Sequence, residues 1–411
     1  MHTHSKIVII GAGHAGGTLA ALLRENGHIG SIDLIGDETY PPYQRPPLSK
    51  AFLKDTANAD TLLLKSAAFY RDGGISLRLE QRVTHIDRER RQVVLASGTT
   101  LPYDSLVLAT GSQARHLDIP GAHLGNILNL RDIQNAAHLK AALQPGRRLV
   151  VVGGGYIGLE VAASARALGL EVVVVERESR LLARVASEPL ASFYERHHQQ
   201  QGVQILRDVQ VSHFEGEGQV SAVHLADGRS LPCEVAIVGV GAMPRDQLAR
   251  AANLRCENGV VVDQDARTSD PDIYAIGDLS WRPMPLYGDR MFRLESVPNA
   301  LEQARQACSA ILGKPRPTPE VPWFWSDQYN LKLQIAGIPF DADRQVLRGD
   351  PEQAKFAVYH LKGDRVVAVE ALNSPLDFIA GKQFIAAQVP VSASKLADTS
   401  GKAKDAALGP A

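Results

Sequence analysis

The chain has 411 residues, more than one hydrophobic core ordinarily holds, so it is expected to divide into two or three domains. Its 44 basic and 45 acidic side chains leave a formal net charge of −1, which gives no bulk attraction for nucleic acid or for an anionic membrane. A core strand is under way by position 6, which leaves no room for a signal peptide, and no apolar run approaches the roughly 18 residues of a membrane span, so a cytoplasmic protein without membrane partners is expected.

The pattern from Lys6 predicts a short apolar strand to Ile10, a glycine turn, a helix from about Ala15 to Glu25 and a second strand, Ser31 to Ile35. The turn, Gly11-Ala12-Gly13-His14-Ala15-Gly16, is a dinucleotide fingerprint. Its glycines allow a tight bend and close approach of backbone to a pyrophosphate, and the helix start supplies N–H donors. Asp37 follows the second strand at the distance where a carboxylate holds an adenosine ribose, and His14 fills a variable slot as a polar cap. Next, Gln92 to Leu95 and Ser105 to Ala109, separated by Ser97-Gly98, predict an antiparallel addition that closes the sheet and ends in the loop Ala109-Thr110-Gly111.

The same order recurs. A strand from Arg148 to Val152 leads to Gly153-Gly154-Gly155-Tyr156-Ile157-Gly158, a helix from about Ile157 to Leu168 that carries Glu160, and a strand from Glu171 to Val175 closed by Glu176. A second hairpin and return strand end at Gly239-Val240-Gly241, and a third strand ends at Gly277-Asp278. Pro298 is expected to sit at the first position of a helix that covers Asn299 to Leu312. From Pro322 the texture changes to strands at Leu331 to Ile335, Arg344 to Leu347, Phe356 to Leu361 and Val366 to Ala371, then a helix near Pro375 to Ala387. Residues 392–411, rich in Ala, Lys, Ser and Asp, are expected to be disordered.

Two fingerprints imply two bound dinucleotides, and one chain needs both when electrons pass between them. Glu176 would bond both ribose hydroxyls and repel a 2′-phosphate, which favours NADH. Arg177 beside it keeps NADPH open. Cys233, Cys256 and Cys308 are far apart, form no CxxC, and suggest core filling rather than a disulfide framework or a metal site. Residues 37–60 contain no cysteine, so electrons would not leave through a redox disulfide there.

The set Gly11 to Gly16, Tyr43-Gln44-Arg45-Pro46-Pro47-Leu48-Ser49-Lys50, Ala109-Thr110-Gly111, Gly153 to Glu160, Ala275-Ile276-Gly277-Asp278 and Glu295-Ser296-Val297-Pro298-Asn299-Ala300 resembles the putidaredoxin reductase family, FAD-dependent ferredoxin reductases that serve cytochromes P450 and Rieske-type oxygenases. The resemblance extends from residue 6 to about 390 and includes Pro322 to Gln328. It implies an α/β, glutathione-reductase-like architecture of two Rossmann-type domains and a small α+β C-terminal domain. The expected division is an FAD-binding domain over 1–112 and 245–320, an NAD-binding domain over 113–244, and the C-terminal domain with its disordered tail over 321–411.

Carried over by position, Ala15, Asp37, Lys50, Val83, Arg131, Asp278 and Val297 are expected to contact FAD, with Gly11, Gly13, His14, Gly16, Arg45, Pro46, Ala109, Thr110, Gly111, Gly277, Glu295 and Ser296 in the same site. Gly153, Gly155, Tyr156, Ile157, Gly158, Glu160, Glu176 and Gly241 would face NADH, and Trp323 and Trp325 lie in the segment expected to cover the flavin. Lys50 and Glu160 form the expected catalytic ion pair, with Lys50 polarising the flavin. The implied activity is NADH:ferredoxin oxidoreductase with a [2Fe-2S] ferredoxin as acceptor, which Arg290 and Arg293 are expected to dock. A rubredoxin reductase and an NADH-sensing flavoprotein like apoptosis-inducing factor are the alternatives.

Overall fold

The computed structural model describes residues 4–408. The chain forms two compact units. One comprises the part up to Gln44 with Ala59–Gln113 and Met243–Pro322, the other Arg45–Asn58, Ala114–Ala242 and Trp323–Ala411.

The first unit is built on a parallel sheet of five strands in the order Ile273–Ala275, Ser105–Leu108, Ile7–Ile10, Ile32–Ile35, Ile75–Arg78. Every residue of the central strand is buried, as a parallel strand covered on both faces requires. Ile7 and Ile9 pack with the helices His14–Glu25 and Val297–Ile311, while Val8 and Ile10 pack with Val83, Ile86, Val93 and Leu95. Those last four lie on Val83–Asp87 and Gln92–Leu95, which with Thr100–Pro102 make a separate three-stranded antiparallel sheet. The expected antiparallel closure is therefore corrected. The hairpin lies over one face, and Ser105–Leu108, all but its first residue buried, enters the main sheet in parallel.

In the second unit the pattern repeats. The strands run Val203–Leu206, Glu171–Val175, Arg148–Val152, Val235–Val238, Ile127–Leu128, all parallel. Leu149 and Val151 face one core, Val150 and Val152 the other. The C-terminal part adds a five-stranded antiparallel sheet, Trp323–Gln328, Leu331–Gly337, Arg365–Leu372, Lys355–Lys362, Arg344–Asp350, backed by the helix Pro375–Ala387. Leu331, Leu333, Phe356 and Val358 of this sheet share a core with Leu190, Phe193 and Tyr194 of the helix Glu188–Gln200.

The expected disordered tail is also corrected. Ser392 caps a short helix, Ala393–Ala397, and a tight turn follows at Ala403–Ala406. The buried guanidinium of Arg348 donates to the carbonyls of Leu396 at 3.0 Å and Gly401 at 2.6 Å, and to that of Asp398. Composition missed this because one distant arginine satisfies the segment's backbone. Residues 409–411 of the expected tail lie outside the described residues. Among the described residues no helix is long and apolar enough to cross a membrane.

Candidate active site

In the first unit the candidate residues gather where parallel strands end, the position at which open α/β sheets bind ligands. Gly11 follows Ile7–Ile10, Asp37 follows Ile32–Ile35, Ala109 follows Ser105–Leu108, and Gly277 follows Ile273–Ala275 with one residue between. Gly11 has φ +113°, and a Cβ there would lie 2.2 Å from the Ala109 carbonyl oxygen, so no other residue fits. A Cβ on Gly16 would lie 2.0 Å from the Gly11 oxygen, which sets how closely the helix approaches the strand.

The second unit repeats these contacts. Gly153 has φ +108° with its Cβ position 2.5 Å from the Gly239 oxygen, and a Cβ on Gly158 would lie 2.3 Å from the Gly153 oxygen. Both fingerprint helices, His14–Glu25 and Tyr156–Ala167, start at a glycine N-cap, Gly13 and Gly155, whose missing side chain gives the first turn no cap hydrogen bond, and His14 is the first helical residue rather than the expected cap. The helices Ile133–Ala142, Glu188–Gln200 and Val297–Ile311 are instead capped by Asp132, Ser187 and Ser296. Uncapped N–H groups at a positive helix end suit an anionic pyrophosphate. Nothing lies within 4 Å of a Cβ placed on Gly155 or on Gly241. The donor set of each unit thus fits a dinucleotide.

The carboxylates occupy their expected strand ends. The Glu176 carboxylate accepts the backbone N–H of Gly154 at 2.7 Å and of Glu178 at 2.9 Å, so it is fixed against the fingerprint turn. Arg177 is turned to Glu178 at 3.1 Å. Asp37 pairs with Arg245 at 3.3 Å. Arg245 was not expected, yet its carbonyl accepts the Thr110 hydroxyl at 2.8 Å and its N–H donates to Gly111 at 2.9 Å, which joins the Ala109-Thr110-Gly111 loop to Asp37. Its only sequence signal is a place four residues after Gly241.

Asp278 accepts the Ser112 hydroxyl at 3.0 Å, and its carbonyl accepts from Arg293 at 3.3 Å. Arg293 also pairs with Glu295 and its side chain is only 11% exposed. The expectation that Arg293 docks a partner is therefore corrected, because its guanidinium is committed to the Asp278 turn. Arg290 lies exposed on the strand Arg290–Phe292. The side chain of Val83 is part of a core, which leaves only its backbone for a ligand. Ser296 accepts the N–H of Asn299, so the helix begins at Val297 and Pro298 is its second residue, one place later than expected.

In the second unit, Pro46–Ser49 forms a tight helical turn and Lys50 ends it. Arg45 donates to the Arg131 carbonyl at 2.7 Å. Glu160, its side chain 4% exposed, meets the Lys50 ammonium at 2.7 Å and accepts the hydroxyls of Ser49 at 2.5 Å and Ser326 at 2.6 Å. Three donors compensate a carboxylate that burial would otherwise disfavour. Tyr156 packs edge-on against Phe324 at 5.0 Å, and Ile157 beside it is 48% exposed. Trp323 contacts Trp325 and Phe378, with the Lys382 ammonium 5.5 Å from its ring centre.

All three cysteines are free. Burial pushes the thiols of Cys233 and Cys308 up, to about 12 and about 11, so neither supplies a thiolate near neutral pH. Among the described residues no His, Cys, Asp and Glu cluster could hold a metal ion.

Residues 5–304 match the pyridine nucleotide-disulphide oxidoreductase family and residues 323–407 match the reductase C-terminal domain. A probable ferredoxin reductase, CtmF, of Castellaniella defragrans is 52% identical over 97% of this chain and 98% of its own length. The ferredoxin–NAD(+) reductase component of the biphenyl dioxygenase system of Paraburkholderia xenovorans is 39% identical, with 97% of each chain covered. Among solved structures, the covalent complex of putidaredoxin reductase with putidaredoxin matches with a TM-score of 0.95 and 42% identity, over 98% of this chain and 97% of the other. The chain belongs to the pyridine nucleotide-disulphide oxidoreductases that carry a reductase C-terminal domain, and within them to the putidaredoxin reductase-like ferredoxin reductases.

Proposed function

We propose that this protein is a cytoplasmic NADH:ferredoxin oxidoreductase that takes two electrons from NADH and passes them singly to a [2Fe-2S] ferredoxin supplying a cytochrome P450 or a Rieske-type oxygenase. The observation that carries this reading is the repeated unit: two glycine-capped helix starts, each at a strand end and each answered by a carboxylate, in a chain whose residues 37–60 contain no cysteine to receive electrons. FAD, when bound, supplies the conversion between two-electron and one-electron transfer.

The chain's own residues bind and orient. Gly11 to Gly16, the Ala109 to Gly111 loop, Asp37 and Asp278 hold FAD, while Gly153 to Gly158 and Glu176 hold NADH. Val297 starts a helix whose positive end favours negative charge on the flavin ring. Lys50 is the fixed positive charge for reduced flavin, and Glu160 keeps it in place. The names of the relatives, which serve ferredoxins and a dioxygenase system, support the acceptor.

The experiment is NADH-driven cytochrome c reduction with and without a [2Fe-2S] ferredoxin. Turnover that depends on the ferredoxin and saturates at low micromolar concentration is expected. Fast NADH binding with no one-electron turnover to any ferredoxin would mark a sensor instead.

A further inference from the structure

The contacts of Glu160 continue inward from the C-terminal sheet. Strand Trp323–Gln328 alternates, and its even residues meet the helices Tyr156–Ala167 and Glu188–Gln200: Phe324 on Tyr156, Ser326 on Glu160, Gln328 on His198. Ser326, Gln328 and His198 are all buried. Gln328 Nε2 lies 3.2 Å from the Ser326 hydroxyl, Gln328 Oε1 lies 2.8 Å from His198 Nε2, and the Tyr329 hydroxyl lies 3.2 Å from His198 Nδ1.

The donors in this chain can be assigned in sequence. An ionised carboxylate only accepts, so Ser326 must donate to Glu160 and its oxygen then accepts from the Gln328 amide nitrogen. That turns the Gln328 oxygen toward His198, whose Nε2 must therefore carry the proton. Burial keeps the imidazole neutral, which leaves Nδ1 to accept from Tyr329. Every hydrogen bond points toward Glu160. Sheet pairing requires none of them, and apolar side chains of the same shape would fill this space without the desolvation cost. An amide in the middle passes no proton readily, so the chain holds rather than conducts.

We infer that Gln328 and His198 are positioning residues for flavin reduction, which fix the Ser326 hydroxyl as a donor on Glu160 and so fix the Glu160–Lys50 pair. This rests on the reading of Glu160 and Lys50 given above.

The test uses the full-length, FAD-loaded protein with Gln328→Met, Ser326→Ala, Glu160→Gln and the double variant Gln328→Met, Glu160→Gln. Methionine keeps the glutamine's shape, and Ser326→Ala attacks the same link with a smaller change. In rapid mixing with saturating NADH, Gln328→Met and Ser326→Ala are each expected to slow flavin reduction by about three- to tenfold, with NADH affinity within about twofold of wild type. The double variant should be no slower than Glu160→Gln alone. Histidine side-chain NMR should show His198 as the Nε2–H tautomer in wild type, and Gln328→Met should remove that signature. An unchanged rate in Glu160→Gln would overturn the reading of the ion pair and this inference with it. A slowed Glu160→Gln beside an unchanged Gln328→Met and Ser326→Ala, or a double variant in which the two effects multiply, overturns the positioning role alone.

Discussion

The side-chain oxygen of Gln303 accepts the backbone N–H of Gly277 and the hydroxyl of Ser280, both at 2.8 Å. Gln303 is fully buried on the helix Val297–Ile311, and Gly277 has φ +75°, so one side chain ties that helix to the turn that carries Asp278. Gln303→Leu would leave the Gly277 N–H buried and unpaired, at about 1 to 3 kcal/mol, while the Ser280 hydroxyl turns to the Gly277 carbonyl at 3.1 Å, and would loosen the turn. The variant is expected to purify with depleted flavin, as is Asp278→Ala, which loses roughly ten- to hundred-fold in FAD affinity with one charge-assisted hydrogen bond. The ratio of visible to ultraviolet absorbance after gel filtration measures this. A fully yellow Gln303→Leu protein of wild-type FAD affinity would refute the link.

Glu176 is held by two backbone N–H groups, so it meets a ribose already oriented. NADH should be used more efficiently than NADPH. Glu176→Ala should narrow the gap in kcat/KM by removing an acceptor for the ribose hydroxyls and a repulsion against a 2′-phosphate. Equal efficiency with both cofactors in the wild-type enzyme would contradict this. Arg177 does not offset the preference, because it is directed at Glu178.

Lys50→Met removes one of three donors and leaves the Glu160 carboxylate buried without its cation. It should slow flavin reduction in stopped flow while FAD stays bound, and lower stability by on the order of 3 kcal/mol. Adding Glu160→Gln to it should recover much of the stability but not the rate, since a neutral amide needs no cation. A double variant as unstable as Lys50→Met would show that the loss comes from packing.

The features legible in the sequence were local ones. A glycine at a strand end and a carboxylate after the next strand are set within some thirty residues, and the chemistry of each residue type announces itself there. Asp37 and Arg245, in contrast, are 208 positions apart, and Glu160 and Ser326 are 166 apart. Ser326 and Gln328 lie in a segment that carries the family resemblance, but nothing in it names their partners, and nothing beyond its place after Gly241 marks Arg245; each role is created by which strand, helix or loop the fold brings beside the residue. Arg293 shows the converse: an arginine near a site segment suggested a docking residue until burial showed it bound to Asp278 and Glu295.

Arg348 illustrates the same point for stability. It bonds three tail carbonyls and pairs with Asp377 at 2.8 Å. Arg348→Met should release the segment after Val391, seen as cleavage there by a nonspecific protease at concentrations that leave the wild-type chain intact. Equal resistance in both proteins would mean that Leu396, Ala403 and Ala406, which are buried, suffice to hold it.

His198 gives the chain a defined acid response. Burial is the main cause that lowers its pKa from 6.5 to about 4, and the neighbouring His197 adds to it while the Gln328 hydrogen bond opposes it. Between those two values the unfolded chain binds a proton that the folded chain does not, so this group's contribution to stability falls as pH drops from about 6.5 to about 4. The slope is at most about 1.4 kcal/mol per pH unit for one proton. Above 6.5 the imidazole is neutral in both states and contributes no pH dependence, and below about 4 it is charged in both. His197, half-buried and also lowered by desolvation, steepens the same window. Urea unfolding of wild type and His198→Gln at intervals from pH 8 to pH 4.5 measures the effect. The two curves should run parallel above about pH 7 and diverge below it, with wild type losing stability faster. Curves that stay parallel down to pH 4.5 would mean that His198 is protonated as readily in the folded protein as in the unfolded chain.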